Sequence, residues 1–213
     1  MNKIETIFYT TIIGIIVVFG AGMYFVGTAS NAPSHSTSSS TNSYNLTLVV
    51  TNQNYFPAAN RSMPAFYVLQ GGKLLSSAEI YIPANELIHL TIINYDTGPG
   101  SVPSTYAKVS GTTNGTEFIM NNTGVNMTSN SEGQWVSTVP DANLAHTFTI
   151  PGITSGVNLN VLIPSQSIVS ATFHTGNSGV FTWQCQVNCG TGSSGWGGPM
   201  LTPGWMTGQV VVQ

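Results

Sequence analysis

Ionisable side chains are scarce in this chain of 213 residues. Asp, Glu, Lys and Arg make up only 5% of it, with seven acidic side chains against four basic ones. Nucleic-acid binding needs clustered Lys and Arg to neutralise the phosphate backbone, so we predict no nucleic-acid partner. A surface with few carboxylates also loses little stability as pH falls. We therefore expect the domain to suit an acidic exterior, with a flat stability profile from about pH 7 to about pH 3.

Familiar catalytic motifs are missing as well. The sequence has no G-x-S-x-G elbow, no H-E-x-x-H helix, no P-loop and no dinucleotide-binding fingerprint. Hydrolase and nucleotide-binding functions are therefore excluded. Cysteine occurs only twice, at Cys185 and Cys189.

An uncharged apolar segment lies near the N-terminus. Residues 7–26 read IFYTTIIGIIVVFGAGMYFV, about the twenty residues that a helix needs to cross roughly 30 Å of hydrocarbon. Lys3 precedes the segment, which predicts a cytoplasmic N-terminus and an extracytoplasmic remainder. We interpret residues 1–27 as a single-pass transmembrane anchor in the cell membrane. The alternative is a signal peptide cleaved near Ala29.

The next segment has the composition of a tether. Residues 28–43 are rich in Ser and Thr and show no apolar periodicity, which predicts a flexible linker. Beyond it, N-x-S/T acceptor patterns predict glycans on an exported surface. The patterns begin at Asn45, Asn60, Asn114, Asn121 and Asn126.

Residues 44–213 show the pattern of an all-β domain. Short apolar runs rich in β-branched and aromatic residues alternate with Gly, Pro and Asn. Nine such runs predict a sandwich or barrel. They are 46–50, 65–70, 78–83, 87–95, 146–151, 157–164, 168–175, 179–185 and 209–213. Residues 96–143 contain only weak strands, near 116–120 and 134–139, and are interpreted as a long insertion of unassigned role.

Strand alternation places a histidine and a cysteine on apolar faces. His146 shares a face with Phe148 and Ile150, and Cys185 shares a face with Trp183. A Gly-rich loop follows, and it carries the remaining sulfur ligands. The candidate metal ligands are His146, Cys185, Cys189, Met200 and Met206. Imidazole, thiolate and thioether form the soft ligand set that selects copper.

The segment 146–213 resembles the copper-bearing domain of subunit II of haem-copper terminal oxidases. The shared features are a His that opens an apolar strand, two further strands, a C-x-x-x-C-G loop and a closing G-x-V-V-V strand. An N-terminal helix before a β domain is also similar to the single-helix subunit II of that family. The resemblance implies a cupredoxin-like Greek-key sandwich on one transmembrane helix, with the haems in a partner subunit.

The loop departs from the family's binuclear copper motif, C-x-x-x-C-x-x-x-H-x-x-M. Cys185 and Cys189 match it, but Ser193 stands at the histidine position and Trp196 at the methionine position. No histidine follows Cys189, while Met200 or Met206 could replace the thioether. This degenerate motif resembles the quinol-type oxidases, whose copper site has decayed.

Three interpretations of the cysteine pair stay open: copper ligands, a Cys185–Cys189 disulfide suited to an exported protein, or free thiols. His89 is expected to be structural and His174 to be exposed. Trp183, Trp196 and Trp205 are expected to cap the core.

Three functions remain open as well. The first is subunit II of a quinol-type respiratory terminal oxidase, a non-catalytic partner of the haem-bearing subunit that could shape a site for quinol or another small redox donor. The second is a membrane-tethered mononuclear copper protein that transfers electrons. The third is a glycosylated structural surface protein with a disulfide.

Overall fold

The computed structural model describes residues 43–98, 100–120 and 133–213. The predicted anchor (1–27) lies outside these residues, as do residues 28–42 of the predicted tether and the acceptor patterns at Asn121 and Asn126. No helix within the described residues has the length and apolar character needed to cross a membrane.

The described residues form twelve β-strands and five short 3-10 turns, with no α-helix. All nine runs expected to be strands overlap a strand, and so do the two weaker runs. The strands are β1 (Ser43–Phe56), β2 (Arg61–Gln70), β3 (Lys73–Ser76), β4 (Glu79–Ile82), β5 (Leu87–Asn94), β6 (Glu117–Met120), β7 (Gln134–Val136), β8 (Leu144–Thr154), β9 (Val157–Pro164), β10 (Ile168–His174), β11 (Gly179–Gln184) and β12 (Thr207–Val212). The predicted all-β class is confirmed.

Strand β3 was not predicted, and the turn before it explains why it forms. All four of its residues are exposed, so it has no apolar alternation to detect. Gly71 and Gly72 both have positive φ, and Gln70 pairs directly with Lys73. Two consecutive positive-φ residues make the two-residue turn that closes a hairpin, so β3 adds to the sheet through its turn.

The strands form two sheets. The seven-stranded sheet has the order β3-β2-β1-β5-β10-β6-β7, and the five-stranded sheet has the order β4-β12-β11-β8-β9. The pairs β1–β5 and β4–β12 are parallel, and the other pairs are antiparallel.

The inner faces of the two sheets share one core. Phe66 of β2 lies 5.1 Å, ring centre to ring centre, from Trp183 of β11, and 6.1 Å from Phe148 of β8. All three rings are buried. The Trp183 indole N–H donates to the Ser77 carbonyl at 2.9 Å, which satisfies its buried polar atom. The expectation that Trp183 caps the core is confirmed.

The described part of segment 96–143 lies along the free edge of β9. The backbone groups of Ser110 and Asn160 pair in both directions, at 3.1 and 2.9 Å. The Leu162 N–H donates to a Glu117 carboxyl oxygen at 2.9 Å. Segment 96–143 also supplies β6 and β7, which extend the seven-stranded sheet beyond β10. An unpaired edge would template aggregation, so these contacts seal the sandwich.

Candidate metal centre

Two neighbouring strands bring the predicted histidine and cysteines together. His146 is near the start of β8, and Cys185 directly follows β11, which pairs with β8 through Gln184 and Thr149. Cys189 lies four residues further along the loop. His146 and Cys185 are buried, and Cys189 is half-buried. No other group of three His, Cys, Asp or Glu side chains in the described part of the chain is placed to hold a metal ion.

The three ligand atoms form a compact triangle. The His146 Nδ1 atom lies 3.1 Å from the Cys189 Sγ and 3.9 Å from the Cys185 Sγ, and the two sulfurs are 3.7 Å apart. A point equidistant from the three atoms lies about 2.1 Å from each, close to the bond lengths of Zn²⁺, taken as a first-row reference, to imidazole nitrogen (about 2.0–2.1 Å) and thiolate sulfur (about 2.3 Å). The triangle therefore fits one metal ion of this size.

Asp96 holds the far side of the imidazole. Its Oδ2 lies 2.9 Å from the His146 Nε2. The other oxygen, Oδ1, accepts from the Asn52 side chain at 2.9 Å and from the Thr97 and Gly98 N–H groups at 2.7 and 3.2 Å. The Nε2 atom therefore carries a proton, and Nδ1 faces the sulfurs. A carboxylate on the remote nitrogen is the usual partner of a metal-binding histidine.

The pKa values of His146 and Asp96 both shift in the direction that favours the charged form of each side chain. Burial alone would lower the pKa of His146, but its hydrogen bonds to Asp96 and Cys185 and their charges raise it to about 9. Burial would raise the pKa of Asp96, yet the hydrogen bond and charge of His146 and two backbone N–H groups lower it below its usual range. The two groups therefore form a buried ion pair.

The two thiols shift in opposite directions. Burial would raise the pKa of Cys185, but hydrogen bonds from Cys189 and His146, the His146 charge and the Thr147 N–H lower it well below the usual value. The hydrogen bond to Cys185 and burial raise the pKa of Cys189 well above its usual value. The pair therefore holds one thiolate, at Cys185, and one thiol, at Cys189.

The cysteines are not bonded to each other in the structure. The Cys185 sulfur also lies 3.6 Å from the Val187 carbonyl oxygen, and the Cys189 sulfur lies 3.6 Å from that of Ala145. Both sulfurs thus face the interior of one loop together with His146, and their spacing suits two thiolates on a shared metal ion.

The two candidate methionines are buried in the same loop. The Met206 carbonyl accepts from the Cys185 N–H at 2.9 Å. A Cβ atom on Gly190, next to Cys189, would lie 2.7 Å from the Met200 Cγ and would also overlap the Gly197 carbonyl, so glycine is required where the loop crosses itself. A ligand role for Met200 or Met206 stays a prediction.

The two other histidines in the described residues are not part of this cluster. His174 is exposed, as expected, and His89 is half-buried within β5. Trp205 packs edge-on against Phe56 at 4.8 Å, and Trp196 packs against the core. Both contacts agree with the expected capping role.

Asp96 is the functional residue that sequence reasoning missed. It was interpreted only as the first residue of the insertion. Its signal was chemical scarcity: it is one of two aspartates in the whole chain, and it directly follows a predicted strand. Its pairing with His146, fifty residues away, required the fold. An irregularity in β1 between Thr51 and Asn54 places Asn52 against the carboxylate.

Comparisons with known proteins assign no family. No protein-family model matches the chain, and no curated protein matches it. Among solved structures, a chain of a haem-copper terminal oxidase dimer is similar at 11% identity, with 99% of this chain and 100% of that chain covered and a TM-score of 0.35. Rusticyanin from Thiobacillus ferrooxidans is 14% identical over 80% of this chain and 77% of its own, with a TM-score of 0.33. Auracyanin B is 14% identical over 86% and 95%, with a TM-score of 0.34.

Proposed function

We propose that this chain is an electron-transfer protein that holds one copper ion between His146, Cys185 and Cys189. The observation that supports the proposal is the triangle of three ligand atoms with Asp96 on the remote imidazole nitrogen. Two thiolates and one imidazole form a soft ligand set that favours copper over magnesium, calcium or manganese. Bound copper would supply a one-electron change between its +1 and +2 states.

The protein's own residues hold this site ready for the metal. Asp96 keeps the Nε2 proton in place, so that Nδ1 is the nitrogen offered to the ion. The Thr147 N–H points to the Cys185 sulfur at 3.5 Å. The buried Phe66 ring of β2 lies 6.1 Å from the His146 ring and 6.1 Å from the Phe148 ring, so this side of the histidine is apolar and shielded from water. Metal binding displaces the Nδ1 proton and the remaining thiol proton, so affinity should rise with pH.

Copper titration of the purified protein tests the proposal. We expect anaerobic addition of Cu(II) to saturate near one copper per chain and to produce thiolate-to-copper absorption. Cys185→Ser and His146→Ala should abolish that absorption, whereas His174→Ala, the exposed control, should leave it unchanged. A native protein with no titratable thiols would contain the disulfide instead, and that result, or preferential binding of zinc, would overturn the proposal.

We further propose that the chain works as subunit II of a quinol-type terminal oxidase. The support is the C-x-x-x-C-G loop and the closing strand at 208–212, together with the lack of any histidine after Cys189, which is the departure from the binuclear copper motif that resembles the quinol type. The haems and the oxygen chemistry would belong to the partner subunit, and a quinol or small redox donor would supply electrons. Co-isolation of the tagged chain with a haem-bearing, multi-span subunit is the expected result, and its consistent absence would contradict this role.

The proposed location is the outer face of the cell membrane. Its support is the uncharged segment 7–26, and three acceptor asparagines that are exposed in the described structure: Asn45, Asn60 and Asn114. Protease added to intact cells should digest the β domain, and glycosidase treatment should lower its mass. Protection of the domain until cells are lysed would contradict the proposed orientation.

An independent, tethered copper shuttle is the second candidate. It is favoured by the same one-metal geometry, because a mononuclear site needs no second histidine. A chain that binds copper stoichiometrically but purifies from membranes without haem would support the shuttle over the oxidase subunit. A chain that does neither, and instead forms extended assemblies, would support a structural surface protein.

A further inference from the structure

A buried series of hydrogen-bonded polar side chains connects segment 106–110 to the cysteine loop. Its members are Asn160 on β9 and Thr149 and Thr147 on β8, all at most 2% exposed. Thr149 and Asn160 are direct neighbours in the β8–β9 register. Within this series, Thr147 and Thr149 lie on the opposite face of β8 from His146, because successive strand residues alternate between faces.

In this series, the available protons determine which group donates and which accepts in every hydrogen bond. The Asn160 amide nitrogen donates to the carbonyl oxygens of Tyr106 and Lys108, at 2.9 and 2.7 Å, so its amide oxygen must face Thr149. The Thr149 hydroxyl donates its one proton to that oxygen at 2.6 Å. Thr147, 3.0 Å away, must then donate to Thr149.

The hydrogen-bonded series ends at the peptide group that follows Cys185. The Thr147 hydroxyl donates its proton to Thr149. The Thr147 oxygen is therefore an acceptor for its other neighbour, and the Gln186 N–H donates to it at 2.8 Å. The Thr147 backbone N–H meanwhile points to the Cys185 sulfur at 3.5 Å. Neither the Thr147 nor the Thr149 hydroxyl can rotate without breaking a hydrogen bond.

We infer that Asn160 and Thr149 are positioning residues, which transmit the position of segment 106–110 to the Cys185 sulfur. The inference rests on the proposed copper function and deepens it: part of the insertion acts as a clamp on the metal ligand. Buried hydrogen bonds in series strengthen one another, and loss of an outer partner of a metal ligand typically lowers metal affinity about 10–100-fold.

Thr149→Val removes one hydroxyl from the hydrogen-bonded series without changing the shape of the side chain. The matched control is Thr154→Val on the same strand, because the Thr154 hydroxyl is buried with no hydrogen-bond partner among the described residues. Thr149→Ser restores the hydroxyl. All variants are made in the full chain, and Cu(II) is the probe.

Two measurements decide the inference. Thr149→Val should bind copper about tenfold more weakly and shift the thiolate-to-copper absorption. In the metal-free protein its Gln186 amide should exchange with solvent about fivefold faster, with the Leu90 amide in the central strand β5 as the reference for global opening. Thr149→Ser and Thr154→Val should match the wild type in both measurements.

The outcomes separate the inference from the proposed function. If Thr149→Val matches Thr154→Val in copper binding and in Gln186 exchange, the positioning role is wrong even though copper binds. If the wild type binds no copper, the proposed function fails, and faster exchange of Gln186 in Thr149→Val still supports the clamp, while unchanged exchange overturns it.

Discussion

The chemistry of this protein is concentrated in very few ionisable residues. Within the described residues His146 and Asp96 form an ion pair, which is buried beside two thiols. A buried charge is costly unless a partner and hydrogen bonds compensate it. Asp96 receives both, from the imidazole and from three N–H donors. Its role in the site can therefore be tested by removing only its charge.

Asp96→Asn should weaken metal binding and lower the pKa of His146. The variant keeps the size of the side chain but removes the negative charge that stabilises the buried imidazolium, so the pKa of His146 should fall from about 9. We expect copper affinity to fall about 10–100-fold. Competition titration and NMR titration of the imidazole measure the two effects.

Asp141→Asn, in an exposed turn, is the charge-matched control and should behave as the wild type. Equal copper affinity in Asp96→Asn and Asp141→Asn would show that the carboxylate does not orient the ligand.

At the scale of strands, β6 places an acid where the core has no compensation for its charge. Glu117 is fully buried, one carboxyl oxygen accepts from Leu162, and the other has no hydrogen-bond partner among the described residues. Burial raises the pKa of Glu117 well above its usual value, against a smaller lowering by the Leu162 N–H. The seal between β6 and the edge of β9 is therefore strongest when this carboxyl is protonated.

Glu117→Gln should change how stability depends on pH. The folded protein retains the Glu117 proton above about pH 4.5, where the unfolded chain releases it, so the free energy of unfolding should fall as pH rises from that value towards the folded pKa. One proton accounts for at most about 1.4 kcal/mol per pH unit. Relative to the wild type, Glu117→Gln should therefore gain stability between about pH 4 and about pH 7.

Urea unfolding at several pH values measures this difference. Glu79→Gln, on the exposed side of β4, is the control and should follow the wild type. A constant difference between Glu117→Gln and the wild type across the pH range would mean that the pKa of Glu117 is the same in the folded and the unfolded protein, which would contradict the prediction. The same titration opposes the flat profile expected from the charge-poor surface, because one buried acid can outweigh many absent exposed ones.

At the scale of the whole domain, the metal centre and the chain entry lie at opposite ends of the seven-stranded sheet. Strands β1 and β5 are parallel, with Ser43 beside Leu87 at one end and Val50 beside Asn94 at the other. Asp96 follows Asn94, so the site lies about 25 Å from Ser43 at roughly 3.3 Å per residue.

The metal-free protein should stay folded. Its core consists of the two packed sheets, and the Asp96, His146 and cysteine groups satisfy one another without an ion. Copper at about a thousand times its Kd should add about 4 kcal/mol to the free energy of unfolding, which corresponds to a rise in Tm of about 8–16 °C for a domain of this size. Calorimetry and far-UV circular dichroism, with and without copper, measure this. Loss of β structure on copper removal would show that folding depends on the metal.

The sequence by itself determined the all-β class and the strands with apolar alternation, because period-two burial is written into neighbouring residues. It also identified His146, Cys185 and Cys189, since soft ligands are rare and sit at strand ends. It missed β3, which has no buried face, and it left the role of segment 96–143 unassigned, because the β9 edge that this segment covers is distant in the chain.

Only the tertiary structure decided how those ligands are used. The contact between Asp96 and His146 and the series from Asn160 to Gln186 join residues that are 50 and 26 positions apart in the chain. Such pairings depend on strand register and on the direction in which each hydroxyl donates, and neither is encoded in local pattern. Residue types and spacing are local properties, whereas the environment that makes a histidine a metal ligand is created by packing.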